Sequence, residues 1–204
     1  MGRYTELMRE VEKIIADNPG PWEAIILPEL KPARPYVLGI SGLPGSGKSR
    51  LSRALWTNRR DAFYIGGENI TFAMFNVGKP TASQYVEAYD WIYKLIDSIV
   101  QEGYGVIFDS TNPQKTYRDR LRKLAGDRAP VFFAQLVARD GTLLKRLAER
   151  PVSDDPQTVA RNFPPATLFE FKRTFEALRP DEGVVIDTEV NDLDGQIAII
   201  NQNI

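Results

Sequence analysis

The stretch GISGLPGSGKSRL, residues 39–51, packs three glycines and a proline between Gly42 and Gly47 and follows them at once with Lys48 and Ser49. Glycine raises the entropic cost of folding, so such a cluster belongs where the backbone must approach something that side chains would fend off. The eight residues Gly42, Leu43, Pro44, Gly45, Ser46, Gly47, Lys48 and Ser49 fit G-x-x-x-x-G-K-[ST]. Their surroundings suit the match: YVLGIS (36–41) reads as a short strand, and Leu51, Ala54 and Leu55 begin a helical apolar stripe. In a strand–loop–helix of this kind the backbone N–H groups turn inward around a phosphate, and the helix adds its positive N-terminal end. Lys48 is placed to reach the β- and γ-phosphates, and the Ser49 hydroxyl to complete a Mg²⁺ sphere. ATP and Mg²⁺ are the ligands this loop implies.

Outward from the loop, strands and helices alternate. AFYIG (62–66), YGVIFDS (104–110), VFFAQLVA (131–138) and GVVIDT (183–188) read as further strands. Helices are expected over about 83–102, 114–125, 141–149 and 166–178, and at the C-terminus. Nearly continuous apolar strands separated by helices indicate a parallel sheet covered on both faces. The fold class expected is α/β, a five-stranded parallel sheet with a helical N-terminal appendage. Residues 5–17 put Leu7, Met8, Val11, Ile14 and Ile15 on one helical face, and PELKPARP (28–35) reads as a linker. We therefore expect an appendage over 1–35 and a main domain over 36–204, with RPVSDDPQTVARNFPP forming a flap at about 150–165.

Composition narrows the chemistry. The 204 residues include no cysteine and no histidine, which leaves no disulfide, thiolate nucleophile or Cys/His zinc site in this chain. Acid–base work falls to Asp, Glu, Lys or Tyr, and any metal must be held by oxygen, which favours a hard ion. Net charge is −1, so the molecule as a whole is no strong attractor of nucleic acid. No apolar run approaches the roughly 18–20 residues needed to span a bilayer, and a cytoplasmic protein without a membrane partner is the expectation. Oligomeric state is not legible.

A nucleotide loop alone does not separate kinases from GTPases and motor ATPases. No N/T-K-x-D segment for reading guanine follows the third strand, and no acid pair ends a strand. Asp109 is a single acid at the end of VIFD, where it can hold Mg²⁺ together with Ser49. It opens DSTNPQKTYRDRLRKLA (109–125), and LLKRLAERP sets Arg146 and Arg150 four apart on one helical face.

With the glycine loop, the D-x-T-N-P-like element and the arginine pair, the chain resembles P-loop kinases of the polynucleotide 5′-kinase and zeta-toxin group over about residues 36–188. The resemblance implies a kinase fold and transfer of the γ-phosphoryl group of ATP to a hydroxyl. It implies that Thr111 and Asn112 lie on the substrate side, with Arg118 on the following helix, and that Arg146 and Arg150 stand at a lid, with Arg161 as a further member. That family's base is an acid just after the second strand; here Glu68 in YIGGENITF stands nearest, without the flanking arginines. Glu68 is read either as the base or as a helix-capping acid, and Asp109 competes for the role of base. The acceptor implied is a nucleic acid, DNA or RNA, or a nucleotide. A small molecule of the zeta-toxin type is the alternative, and an ATPase switch with a protein partner is the reading from another class. The basic helix Lys115–Lys123 is read as a nucleic-acid track or as a solvated face, and Asp187 as a strand-end turn former.

Overall fold

The computed structural model describes residues 3–17, 24–75, 80–111, 114–149 and 165–204. Its strands are β1 (Ile25–Ile26), β2 (Val37–Gly42), β3 (Ala62–Gly66), β4 (Gly105–Asp109), β5 (Val131–Val137) and β6 (Gly183–Asp187). The helices are α1 (Arg3–Asp17), α2 (Lys48–Arg59), α3 (Gly67–Phe75), α4 (Ala82–Gln101), α5 (Lys115–Ala125), α6 (Asp140–Ala148), α7 (Pro165–Thr174) and α8 (Leu193–Asn201). One sheet runs in the order β1-β3-β4-β2-β5-β6.

The five expected strands are all present and pair parallel with one another. The expectation of a five-stranded sheet needs one correction. Ile25 and Ile26 pair antiparallel with Ile65 and Tyr64, adding a sixth strand at the edge. Two residues bounded by loop are too short to show a strand period, which is why the stretch reads as appendage rather than sheet. The N-terminal region is thus fastened to the main fold twice: by this strand, and by α1, which buries Leu7 and Val11 in the same cluster as Ile92, Leu95 and Ile96 of α4. Trp91 of α4 also donates its indole N–H to Glu10 of α1.

Alternation along each strand sorts the core into two layers. Val37, Phe63, Ile65, Val106, Phe108 and Phe133 face the layer covered by α1, α4 and α5. Leu38, Ile40, Tyr64, Ile107, Ala134 and Leu136 face α2 and α8, meeting Leu51, Leu55, Ile197 and Ile200. Each Val, Leu, Ile or Phe among them, fully buried, contributes roughly 1.5–3 kcal/mol relative to exposure, so the doubly covered sheet is the main source of stability. The long helix α4 starts from a capping box: Gln84 N–H donates to the Thr81 hydroxyl and Thr81 N–H donates to the Gln84 side chain.

The topology places β2, β4 and β3 side by side, with Asp109 in register with Ile40 on one side and Gly66 on the other. The glycine loop, Asp109 and the start of α3 therefore emerge together at the C-terminal edge of the sheet. That edge is where open α/β sheets bind ligands. Among the described residues no helix is long and apolar enough to cross a membrane.

Candidate active site

The loop after β2 turns through backbone angles that side chains rarely adopt. Gly45 has φ +85° and a Cβ there would lie 2.8 Å from the Leu143 carbonyl oxygen, so the loop rests directly on α6. Gly47, at φ +97°, forms the left-handed cap from which α2 starts. These are the conformations that explain the cluster of glycines. Within the loop the Ser46 hydroxyl is buried and has no hydrogen-bond partner among the described residues. A buried orphan hydroxyl in a glycine cradle at a helix N-terminus fits an anionic phosphate group.

Lys48, the first residue of α2, is 8% exposed. Among the described residues its Nζ makes only a long 3.4 Å hydrogen bond, to the Leu43 carbonyl within the loop. Across from it, Asp109 is buried at the end of β4. Burial pushes the Asp109 carboxyl up from its ordinary range, while the charge of Lys48 and a hydrogen bond from Ser49 pull against that shift. Among the described residues no group of three or more acids could hold a metal by itself. One carboxylate and one hydroxyl suit Mg²⁺, an ion that keeps several waters and takes its other ligands from substrate phosphates.

Glu68 lies in the first turn of α3, where a carboxylate is favoured by the helix N-terminus. Thr111 Oγ1 donates to Glu68 Oε1 at 2.9 Å, and the Ser41 hydroxyl donates to the Thr111 carbonyl at 2.9 Å. Those two bonds connect the end of β2, the segment after β4 and the start of α3. Burial, and then the negative charge of Glu68, raise the phenols of Tyr85 and Tyr89, Tyr85 to about 12. Tyr89 shares a 2.7 Å hydrogen bond with Ser110. The structure thus brings Lys48, Ser49, Asp109, Thr111 and Glu68 to one edge.

Arg118 requires a correction. It was expected on the substrate side, yet it is 1% exposed and ion-paired with Glu182 at 3.2 Å, and so is unavailable to a substrate. Helical spacing shows that α5 is basic but not that this guanidinium points inward. Arg146 is half-buried and donates to the Thr188 hydroxyl at 2.8 Å and the Thr188 carbonyl at 3.0 Å, next to β6. Asn112, Arg150, Arg161 and most of the expected flap lie outside the described residues. Asp187 behaves as a turn former: its Oδ1 accepts the Glu189 N–H at 2.8 Å.

Reading the sequence alone misses Tyr64. Its hydroxyl donates to Asp109 Oδ2 at 3.0 Å, from a ring with no exposed surface. Only the register between β3 and β4 makes these two residues neighbours, and no local motif marks it.

The fold and the glycine loop define a P-loop, kinase-like nucleotide-binding domain. A family model described as "AAA domain" matches residues 37–178, well over half of the chain, and the chain belongs to that family. A comparison with curated proteins found no match. Among solved structures, a gluconokinase from Sinorhizobium meliloti 1021 is similar at 21% identity and TM-score 0.57, covering 82% of this chain and 93% of its own. Kti12 of Chaetomium thermophilum in complex with ADP-AlF3 is similar at 17% identity and TM-score 0.63, covering 81% and 96%. The Mycobacterium tuberculosis APS kinase CysC is similar at 15% identity and TM-score 0.55, covering 84% and 97%. At these identities the likeness is one of fold.

Proposed function

We propose that the protein is an ATP-dependent kinase that transfers the γ-phosphoryl group to a hydroxyl of a small molecule or nucleotide. The observation that carries this reading is a pair of acids at one edge of the sheet: Asp109 at the end of β4, within the field of Lys48, and Glu68 just beyond β3, held by Thr111. The loop Gly42–Ser49 holds the triphosphate, with Lys48 against its β- and γ-phosphates. Ser49 and Asp109 hold Mg²⁺, which, when bound, offsets negative charge on the phosphates. Glu68 accepts the proton of the acceptor hydroxyl as its oxygen bonds to phosphorus, and the bond to the departing ADP breaks. Thr111 keeps that carboxylate oriented. This assignment gives the two acids separate tasks: Asp109 beside the P-loop, Glu68 toward the acceptor.

The charges of α5 favour a small acceptor over a long nucleic acid. Lys115 pairs with Asp119, Arg120 with Asp90, and Arg118 and Arg122 both with Glu182. Cations already neutralised within the fold make a poor track for a phosphate backbone, whose binding depends on many free Lys and Arg contacts. A nucleoside, nucleotide or sugar suits the site better, in keeping with the likeness to a gluconokinase fold.

Glu68→Gln tests the reading. It keeps the Thr111 hydrogen bond and removes the basic oxygen, so kcat should fall about 100- to 10,000-fold. ATP affinity, measured by calorimetry, should stay within about threefold on the same ground that the base acts only on the acceptor. A variant with full kcat would remove Glu68 from the mechanism.

A further inference from the structure

The layer of the core facing α2 and α8 is apolar along β2, β4 and β5: Leu38, Ile40, Ile107, Ala134 and Leu136. Into this layer β3 contributes a tyrosine, and α2 contributes an arginine. The Arg53 guanidinium lies over the Tyr64 ring, 5.9 Å from its centroid, and its positive charge acts on the phenol. Tyr64 in turn donates to Asp109 Oδ2 at 3.0 Å. Burying a hydroxyl and a cation costs free energy that a phenylalanine and a leucine would not incur. A core built for stability alone has no use for the pair, and the phenol is bonded to one carboxylate, that of Asp109.

Their placement is not arbitrary along the chain. Arg53 follows Ser49 by four residues, so the two share one face of α2. Tyr64 stands two residues before Gly66, the register partner of Asp109, so its ring points along the same face toward the acid. The helix that supplies the P-loop serine also braces, through Tyr64, the acid facing that serine.

We propose that Tyr64, braced by Arg53, is a positioning residue for Asp109. It commits one carboxylate oxygen to the phenol and leaves the remaining lone pairs to Ser49 and the ion. Partners behind a ligand oxygen orient it and strengthen metal binding, and their loss commonly costs about 10- to 100-fold in metal affinity. The inference rests on the kinase reading only in placing Mg²⁺·ATP at the P-loop.

Calorimetry of ATP binding with excess Mg²⁺ and with EDTA separates ion positioning from general damage, because only the former is Mg²⁺-dependent. In Tyr64→Phe, which keeps the ring, affinity in EDTA should match that of the unaltered protein, and the gain on adding Mg²⁺ should shrink about 10-fold or more. Arg53→Lys, which changes the cation over the Tyr64 ring, should lower the gain in the same direction by a smaller factor. Equal Mg²⁺ gains in the unaltered protein and both variants would overturn this inference alone. Weakening that is the same with and without Mg²⁺ would also overturn it, as that is loop damage. An unaltered protein that binds no ATP under either condition would overturn the kinase reading, and this inference with it.

Discussion

Lys48→Ala should lower phosphoryl transfer by at least about 100- to 1,000-fold, the usual effect of removing one preorganised group that stabilises developing charge. The side chain is well placed to have such an effect. It is 8% exposed, so its charge acts on bound phosphate with little solvent screening. The fold should persist, because among the described residues Nζ makes one long hydrogen bond, 3.4 Å to the Leu43 carbonyl. Thermal melting beside steady-state kinetics checks both halves: an unchanged melting temperature with lost turnover is expected. Near-normal turnover would remove Lys48, and with it the loop, from the chemistry.

Glu182→Ala should have the largest effect on stability, for a reason unconnected with the site. The Glu182 side chain has no exposed surface. Its Oε1 accepts from Arg118 at 3.2 Å and Arg122 at 2.8 Å, and its Oε2 from Arg118 at 3.2 Å and the Arg179 N–H at 2.9 Å. Arg118 also donates to the Glu176 and Ala177 carbonyls, so the network fastens α5 to the segment leading into β6. Truncating the acid leaves Arg118 buried without its counter-charge, which typically costs about 3–5 kcal/mol. Denaturant unfolding measures it, and the double variant Arg118→Met/Glu182→Leu should recover most of the loss by replacing the pair with apolar packing. A loss under about 1 kcal/mol in Glu182→Ala would contradict this account of the network, since that is the range of exposed pairs.

The same network gives a sign for pH dependence. Burial alone would raise the Glu182 carboxyl, but hydrogen bonds from Arg118, Arg122 and the Arg179 backbone hold it down at about 2, against an ordinary 4.5. A depressed acid stabilises the fold fully above its unfolded pKa and loses that contribution as pH falls through the folded one. Stability should therefore drop between about pH 4.5 and 2. Glu182→Gln should flatten that part of the profile in a series of unfolding titrations.

What was legible in the sequence followed from periods and from one motif. The loop Gly42–Ser49, the five parallel strands and the long helix α4 each leave a local signature: glycine spacing, apolar runs, or a 3.6-residue stripe. Illegible were features decided by partners distant in the chain. β1 becomes a strand only because Ile25 and Ile26 meet Ile65 and Tyr64. Arg118 looks like its neighbours on a basic helix until Glu182, 64 positions away, draws it inward. Tyr64 gains its meaning from a strand register that brings Asp109 within hydrogen-bond reach, 45 positions on. Glu68 falls between these cases: position suggested it, while the Thr111 bond that orients it depends on the tertiary fold.

The central claim, transfer of phosphate from ATP to a hydroxyl acceptor, is tested most directly with γ-labelled ATP and Mg²⁺. Nucleosides, nucleotides, small sugars and 5′-OH oligonucleotides would be offered as acceptors, with Lys48→Ala as control. Label on a small hydroxyl-bearing acceptor, absent with Lys48→Ala, is the predicted result. Label released only as free phosphate across every acceptor would contradict the account and make the protein an ATPase.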